Sequence, residues 1–153
     1  MTDYEKLLDK AHTYGLTVTE KPFVFHDGLI KNRRIGIRKS IPTSAQKADV
    51  LAEEIAHSHS TVGNILDQSD TMNRKQEHRA RIRAYDMRIG LDGIVRMLEF
   101  GCTNSYEASE YLGCGEEFFR EALHYYGLKY GVCTKYKDYT IVFEPSLMII
   151  KDI

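Results

Sequence analysis

Several features that mark special classes of protein are scarce or missing in this sequence. The 153 residues contain only three prolines, three cysteines and no tryptophan. The cysteines, Cys102, Cys114 and Cys133, are odd in number and form no C-x-x-C pair. This spacing argues against a disulfide framework and against a cysteine zinc site. We therefore expect free thiols in a reducing compartment.

Long apolar runs and an excess of one charge are missing as well. No stretch approaches the roughly 20 apolar residues that span a bilayer, and the charged start MTDYEKLLDKAHTYG is unlike a signal peptide. The 21 basic side chains balance 22 acidic ones, so the overall charge indicates neither nucleic acid nor an anionic membrane as a partner. These absences predict a cytoplasmic protein without membrane contact.

What the sequence does contain is the pattern of one α+β domain spanning residues 1–153, with helices dominating its middle. Apolar spacing and capping residues predict six helices, at 3–14, 44–59, 74–89, 91–100, 105–112 and 116–130. Thr43 is the expected N-cap of the second helix, and Gln46 completes a capping box. A break at Gly63-Asn64 and a polar loop at 67–73 separate the second and third helices.

Two regions have the composition of strands. A strand at 16–25 is expected at a sheet edge because Pro22 interrupts it, and residues 28–38 alternate as a hairpin with Asn32 at its turn. Together they predict a small N-terminal antiparallel sheet. The C-terminal tail predicts a second hairpin, which turns at Lys137-Asp138 and is interrupted on its return by Pro145.

The second helix carries an unusual acidic pair. Glu53 and His57 are four residues apart and share one helical face, and Glu54 adjoins that face in a strongly apolar context. Neither glutamate has a lysine or arginine three or four residues away. Two such carboxylates repel each other and resist desolvation, so a cation must come from elsewhere in the fold.

Spacing alone leaves two sources for that cation. One is a divalent metal ion. The other is an arginine of the third helix, which holds Arg74, Arg79, Arg81 and Arg83. Carboxylates on helices are common and usually solvated, so the residues by themselves do not decide between the two.

A resemblance favours the metal. The segment LAEEIAH, from Leu51 to His57, resembles the Leu-Ala-His-Glu-x-x-His motif of the ImmA/IrrE metallopeptidase family, with Glu53 in place of the first histidine. The segment QEHRARIRAY, at 76–85, resembles the family's second motif, a glutamate followed by spaced alanines, and Glu77 matches that glutamate. Residues 111–131 look like the C-terminal part of phage-borne members, so the resemblance covers about 4–130.

The resemblance implies a fold, a site and a reaction. It implies a zincin-like helical core in which Glu53, His57 and Glu77 bind Zn²⁺, with Mn²⁺ or another divalent ion as the alternative. Glu54 would have a raised pKa and act as general base on water that attacks a peptide carbonyl. The implied substrate is a protein, the transcriptional repressor of a phage or other mobile element.

The glutamate at the first motif position departs from the family pattern. It adds negative charge to the site, which lowers the expected activity or changes the preferred metal. A catalytically weak or inactive protein that binds a repressor or another protein without cleaving it is therefore the alternative function.

Two further residues are expected near the site. On a regular helix His59 points to a different side from His57, so both could bind one metal only if the helix ended at His57. We therefore expect His59 to line the cleft or to contact a ligand residue. His59 and Tyr85 are the candidates for stabilising the charge that develops in the reaction. His78 neighbours Glu77 but is turned about 100° away on a helix, so we expect a structural histidine there.

Residues 91–130 also resemble a helix-turn-helix, but the sequence argues against DNA binding by this unit. Its last helix begins with Glu116 and Glu117, and acidic residues repel phosphate. Phe118, Phe119, Leu123 and Tyr126 are expected to pack in a core or against a partner. The basic residues of the third helix fall on several faces, as in a solvated helix, and an ion pair from Arg81 would compete for Glu77.

Overall fold

A computed structural model, which describes residues 1–60 and 70–153, confirms the α+β class. Its helices are α1 (Asp3–Thr13), α2 (Ser44–Ser60), α3 (Asp70–Arg88), α4 (Gly90–Phe100), α5 (Ser105–Leu112) and α6 (Glu116–Tyr130). Its strands are β1 (Thr17–Lys21), β2 (Gly28–Lys31), β3 (Arg34–Arg38), β4 (Cys133–Tyr136), β5 (Tyr139–Val142) and β6 (Met148–Lys151). In the ranges that the structure describes, no helix is both long and apolar enough to span a bilayer.

The chain forms two compact units, Met1–Ala84 and Tyr85–Ile153. The boundary falls inside α3, which contributes residues to both. Each unit has its own three-stranded sheet. The organisation of the whole chain as one functional domain stays a prediction.

The sheet of the first unit is mixed, so the expectation of an antiparallel sheet is correct only for the hairpin. β2 and β3 pair antiparallel, as expected, with Asn32 at a φ of 57° in the turn. β1 pairs parallel to β3, and the strand order is β1-β3-β2. After β1 the chain crosses to the opposite edge of the sheet and forms β2 there. β3 then lies between β1 and β2. β1 is an edge strand, as expected, but it ends at Lys21, so residues 22–25 of the predicted strand are outside it because Pro22 stops the strand.

Helix α2 packs on this sheet and on α1. Gln46 N–H donates to Thr43 Oγ1 at 3.1 Å, which confirms Thr43 as the N-cap of α2. The apolar side of α2 contributes Leu51 and Ile55, and β3 contributes Ile35 and Ile37, all of them buried. Each fully buried aliphatic side chain of this size contributes about 1.5–3 kcal/mol. This core fixes α2 against the sheet and thereby positions its polar face.

The start of α3 differs from the expectation. The helix begins at Asp70, so the last four residues of the predicted polar loop are helical. Polar composition suggested a loop, but the segment contains neither glycine nor proline and nothing in it prevents a helix. The predicted break at Gly63-Asn64 and the start of that loop lie outside the described residues.

In the second unit, α5 and α6 pack together and the C-terminal strands form an antiparallel sheet in the order β4-β5-β6. The predicted hairpin is present, and Lys137 adopts a φ of 51° in its turn. Beyond Pro145 the interrupted return forms a separate third strand. Phe118, Phe119 and Tyr126 are buried, as expected for a packing helix, and Tyr126 Oη donates to Asp86 Oδ1 at 2.8 Å.

Candidate metal centre

Two helices bring the candidate ligands together within the first unit. Glu53 and His57 lie one turn apart on α2, and Glu77 and Arg81 lie one turn apart on α3. His57 Nε2 is 3.2 Å from Glu77 Oε2, and Arg81 Nη1 donates to Glu53 Oε2 at 2.9 Å. The order of the two pairs is reversed along the two helices. The helices therefore run antiparallel here, and the His57–Glu77 and Arg81–Glu53 contacts link them.

The three residues that the family resemblance assigned as ligands could hold a metal ion. Ligand atoms of Glu53, His57 and Glu77 all lie within 4.8 Å of one another. Tetrahedral zinc with bonds of about 2.0–2.1 Å separates neighbouring ligand atoms by about 3.3 Å. The separation of His57 Nε2 and Glu77 Oε2, 3.2 Å, is a hydrogen-bond distance and is also close to this value. One imidazole and two carboxylates suit zinc or manganese.

Arg81 also occupies this site. Its guanidinium pairs with Glu53, whose side chain is only 17% exposed. An arginine of the third helix was the other expected source of positive charge, and Arg81 has that role in the structure. The same ion pair reduces the repulsion between the carboxylates of Glu53 and Glu54 without any metal.

Glu54 is the most buried carboxylate of the cluster. Only 7% of the residue is exposed. The pKa of Glu54 is raised to about 8, first by burial and then by the negative charges of Glu53 and Glu77. A carboxyl group with a pKa near neutrality can both accept and donate a proton, which is the property that a general base needs.

These residues line an open cleft of about 460 Å³. One wall is the face of α2 that carries Glu53, Glu54 and His57, and the opposite wall carries Glu77 and Arg81. The remaining wall belongs to β2 and the loop before it, at His26, Asp27, Gly28, Leu29 and Ile30. In the described sheet, β2 pairs only with β3, so its other edge is open.

Gly28 is a site residue that sequence reasoning missed. A Cβ built on Gly28 would come within 3.0 Å of Glu54 Oε1 and 2.7 Å of Val50 Cγ1. The strand approaches the helix too closely for a side chain at this position. A glycine inside a strand pattern is the signal that could have indicated this close approach.

His59 and Tyr85, the two residues expected near the site, have other contacts. His59 is exposed, and its ring meets Tyr14 edge-on at a centroid distance of 4.5 Å. Tyr85 belongs to the second unit, where it packs against Phe118 and Tyr125 and donates to Glu121 at 3.4 Å. The helix continues to Ser60, so the condition for His59 to join His57 on one metal is not met. His78 is exposed.

No model of a known protein family matches this chain, and no curated protein sequence matches it.

Proposed function

We propose that this chain is a zinc-dependent endopeptidase of the ImmA/IrrE type. The observation that carries the proposal is the convergence of Glu53, His57 and Glu77 beside the buried carboxyl of Glu54. Glu53 and His57 lie on one face of α2 because they are four residues apart. Glu77 belongs to α3 and comes close to them only in the folded chain. The resemblance of two separate motifs assigned the same four residues.

In this proposal, Glu53, His57 and Glu77 hold the ion, and Mn²⁺ or another divalent metal is the alternative to Zn²⁺. When bound, the ion polarises a peptide carbonyl and makes water a better nucleophile at neutral pH. Three protein ligands leave one coordination position open, as in catalytic zinc sites. Glu53 is a carboxylate where the family has histidine, so the two charged ligands cancel the charge of the ion.

Glu54 serves as the general base. Its carboxyl lies in the cleft, held by burial against Val50 and Gly28. It takes a proton from the attacking water and returns the proton to the nitrogen of the leaving amine. The pKa of Glu54 near 8 suits the second transfer, and a cation held by the neighbouring ligands would favour the ionised carboxylate that the first transfer needs.

The open edge of β2 supplies a place for an extended substrate segment. Gly28, Leu29 and Ile30 of this strand line the cleft together with Glu54. A peptide that adds to this edge as a further strand would lie across the candidate ligands. The proposed substrate class, the repressor of a phage or other mobile element, rests on the resemblance alone.

The Arg81–Glu53 ion pair favours a second candidate function. Because a guanidinium already neutralises Glu53, the cluster is stable as a salt-bridged surface without a metal. In that case the chain is an inactive relative of a peptidase that binds a repressor or other protein through the same cleft.

Cleavage of a proteome-derived peptide library distinguishes the two functions. Zinc-loaded protein and its Glu54→Gln variant are incubated with the library, and new peptide termini are identified by mass spectrometry. The endopeptidase proposal expects new termini with the wild type and none with Glu54→Gln, while an exposed control, Glu110→Gln, cleaves like the wild type. No new termini from the wild type above a control without protein would support the inactive binding protein.

A further inference from the structure

Two of the described contacts between α2 and α3 concern this inference, and one of them joins two candidate ligands. His57 Nε2 and Glu77 Oε2 are 3.2 Å apart, close to the separation of two ligand atoms on one ion. The third candidate ligand, Glu53, is engaged by the guanidinium of Arg81 at 2.9 Å. In this conformation a side chain of the protein itself is the cation on Glu53.

The charges at the site favour this pairing in the metal-free protein. Without a metal, Glu53 and Glu77 bring two negative charges beside the buried Glu54, and Arg81 offsets one of them. A bound divalent ion offsets both. The guanidinium then lies beside a cation on a shared carboxylate, and the two positive charges repel each other.

The Arg81 side chain is also placed so that it can turn away from Glu53 into solvent. Arg81 follows Glu77 by one turn of α3, and its side chain is 36% exposed at the cleft. A long arginine side chain can keep its stem on the protein while its charged end turns into water. Displacement therefore requires a change of side-chain conformation only, with both helices in place.

We propose that the guanidinium of Arg81 competes with a divalent metal ion for Glu53, so that metal binding must break the Arg81–Glu53 ion pair. This inference rests on the metal site proposed above. Arg81 stabilises the metal-free protein and lowers metal affinity by the same interaction. Arg81 thus raises the concentration of free metal at which the site fills.

Zinc affinity, measured on metal-free protein by competition with a chromophoric chelator, tests this inference. Arg81→Gln should lower the Kd for Zn²⁺ by about tenfold, because a charge-assisted hydrogen bond no longer has to be broken. Arg81→Lys keeps the charge and should stay nearer to the wild type. The control is Arg83→Gln, an exposed position on the same helix with the same loss of charge, and we expect its Kd within about twofold of wild type.

A second readout uses the melting temperature without metal. Arg81→Gln should melt lower than both wild type and Arg83→Gln in a chelator, and added Zn²⁺ should raise its melting temperature by more. Tighter binding by a less stable protein is an outcome that misfolding does not produce.

The possible results separate this inference from the proposal on which it rests. If the wild type binds Zn²⁺ and Arg81→Gln binds it equally or more weakly, Arg81 is not a competitor, although the metal site stands. If neither protein binds Zn²⁺, the metal site and the competition are both wrong, and Arg81–Glu53 is a structural ion pair.

Discussion

Gly28 lies so close to Glu54 that the strand has no room for a side chain at this position. A Cβ on Gly28 would be 3.0 Å from both Cγ and Oε1 of Glu54. β2 therefore covers the candidate general base, and Gly28 and Glu54 line the same cleft. The contact links the strand that would receive a substrate to the residue that would act on it.

Gly28→Ala should displace Glu54 and separate activity from metal binding. We expect a loss of about 1–3 kcal/mol in the free energy of unfolding, the usual cost of overpacking. Peptide cleavage should fall more than zinc affinity, because Glu54 is next to the ligands but is not one of them. Urea unfolding and a peptidase assay measure the two effects.

The matched control is Gly127→Ala in α6. A Cβ at Gly127 meets no atom within 4 Å, and alanine is the better helix former, so this variant should be neutral or more stable by up to about 1 kcal/mol. A Gly28→Ala variant as stable and active as Gly127→Ala would contradict the close approach of β2.

The raised pKa of Glu54 predicts a specific pH dependence of stability in the metal-free protein. The folded state holds the proton of Glu54 up to about pH 8, whereas the unfolded chain releases it near pH 4.5. The contribution is therefore fully present below about pH 4.5 and is lost as the pH rises toward 8. Since one pKa unit corresponds to about 1.4 kcal/mol, the loss is on the order of a few kcal/mol.

Urea unfolding in the presence of a chelator, at a series of pH values, tests this dependence. Glu54→Gln cannot titrate, so its stability relative to wild type should increase between pH 5 and 8 and level off above. Stability curves of the two proteins that stay parallel over this range would show that Glu54 ionises normally in the fold.

Glu77 offers a variant in which metal binding and stability separate. Its side chain is 64% exposed, so its pairing with His57 contributes at most about 1 kcal/mol to folding. Glu77→Gln should nevertheless weaken zinc binding by at least about a hundredfold. This is more than the typical effect of mutating a residue that hydrogen-bonds to a ligand. Calorimetric titration with Zn²⁺ measures this, and an affinity equal to that of Glu110→Gln would remove Glu77 from the site.

Much of the fold was predictable because local signals agreed with it. The last two helices, 105–112 and 116–130, have the predicted bounds, and glycines or capping side chains mark their ends. The hairpin at 28–38 and its turn at Asn32 were predictable for the same reason. The parallel pairing of β1 with β3 was not predictable, because the sequences of the two strands do not indicate which strand each will pair with.

The candidate site was predictable only in part, and for a related reason. The i, i+4 spacing places Glu53 and His57 on one face, but it says nothing about which residue of α3 will face them. The resemblance supplied Glu77, and spacing alone could name Arg81 only as one of four arginines. The sequence offered Tyr85 and His59 only as candidates near the site, and each makes its described contacts with residues outside the ligand cluster.

Metal content of protein purified without a metal-affinity tag, measured by plasma mass spectrometry, tests the central claim most directly. The wild type should carry about one zinc or manganese ion per chain, or take up that amount from a micromolar supply. The Glu53→Ala, His57→Ala double variant should carry none. A wild type that holds no metal under either condition would contradict the metal centre and leave a cleft stabilised by the Arg81–Glu53 ion pair.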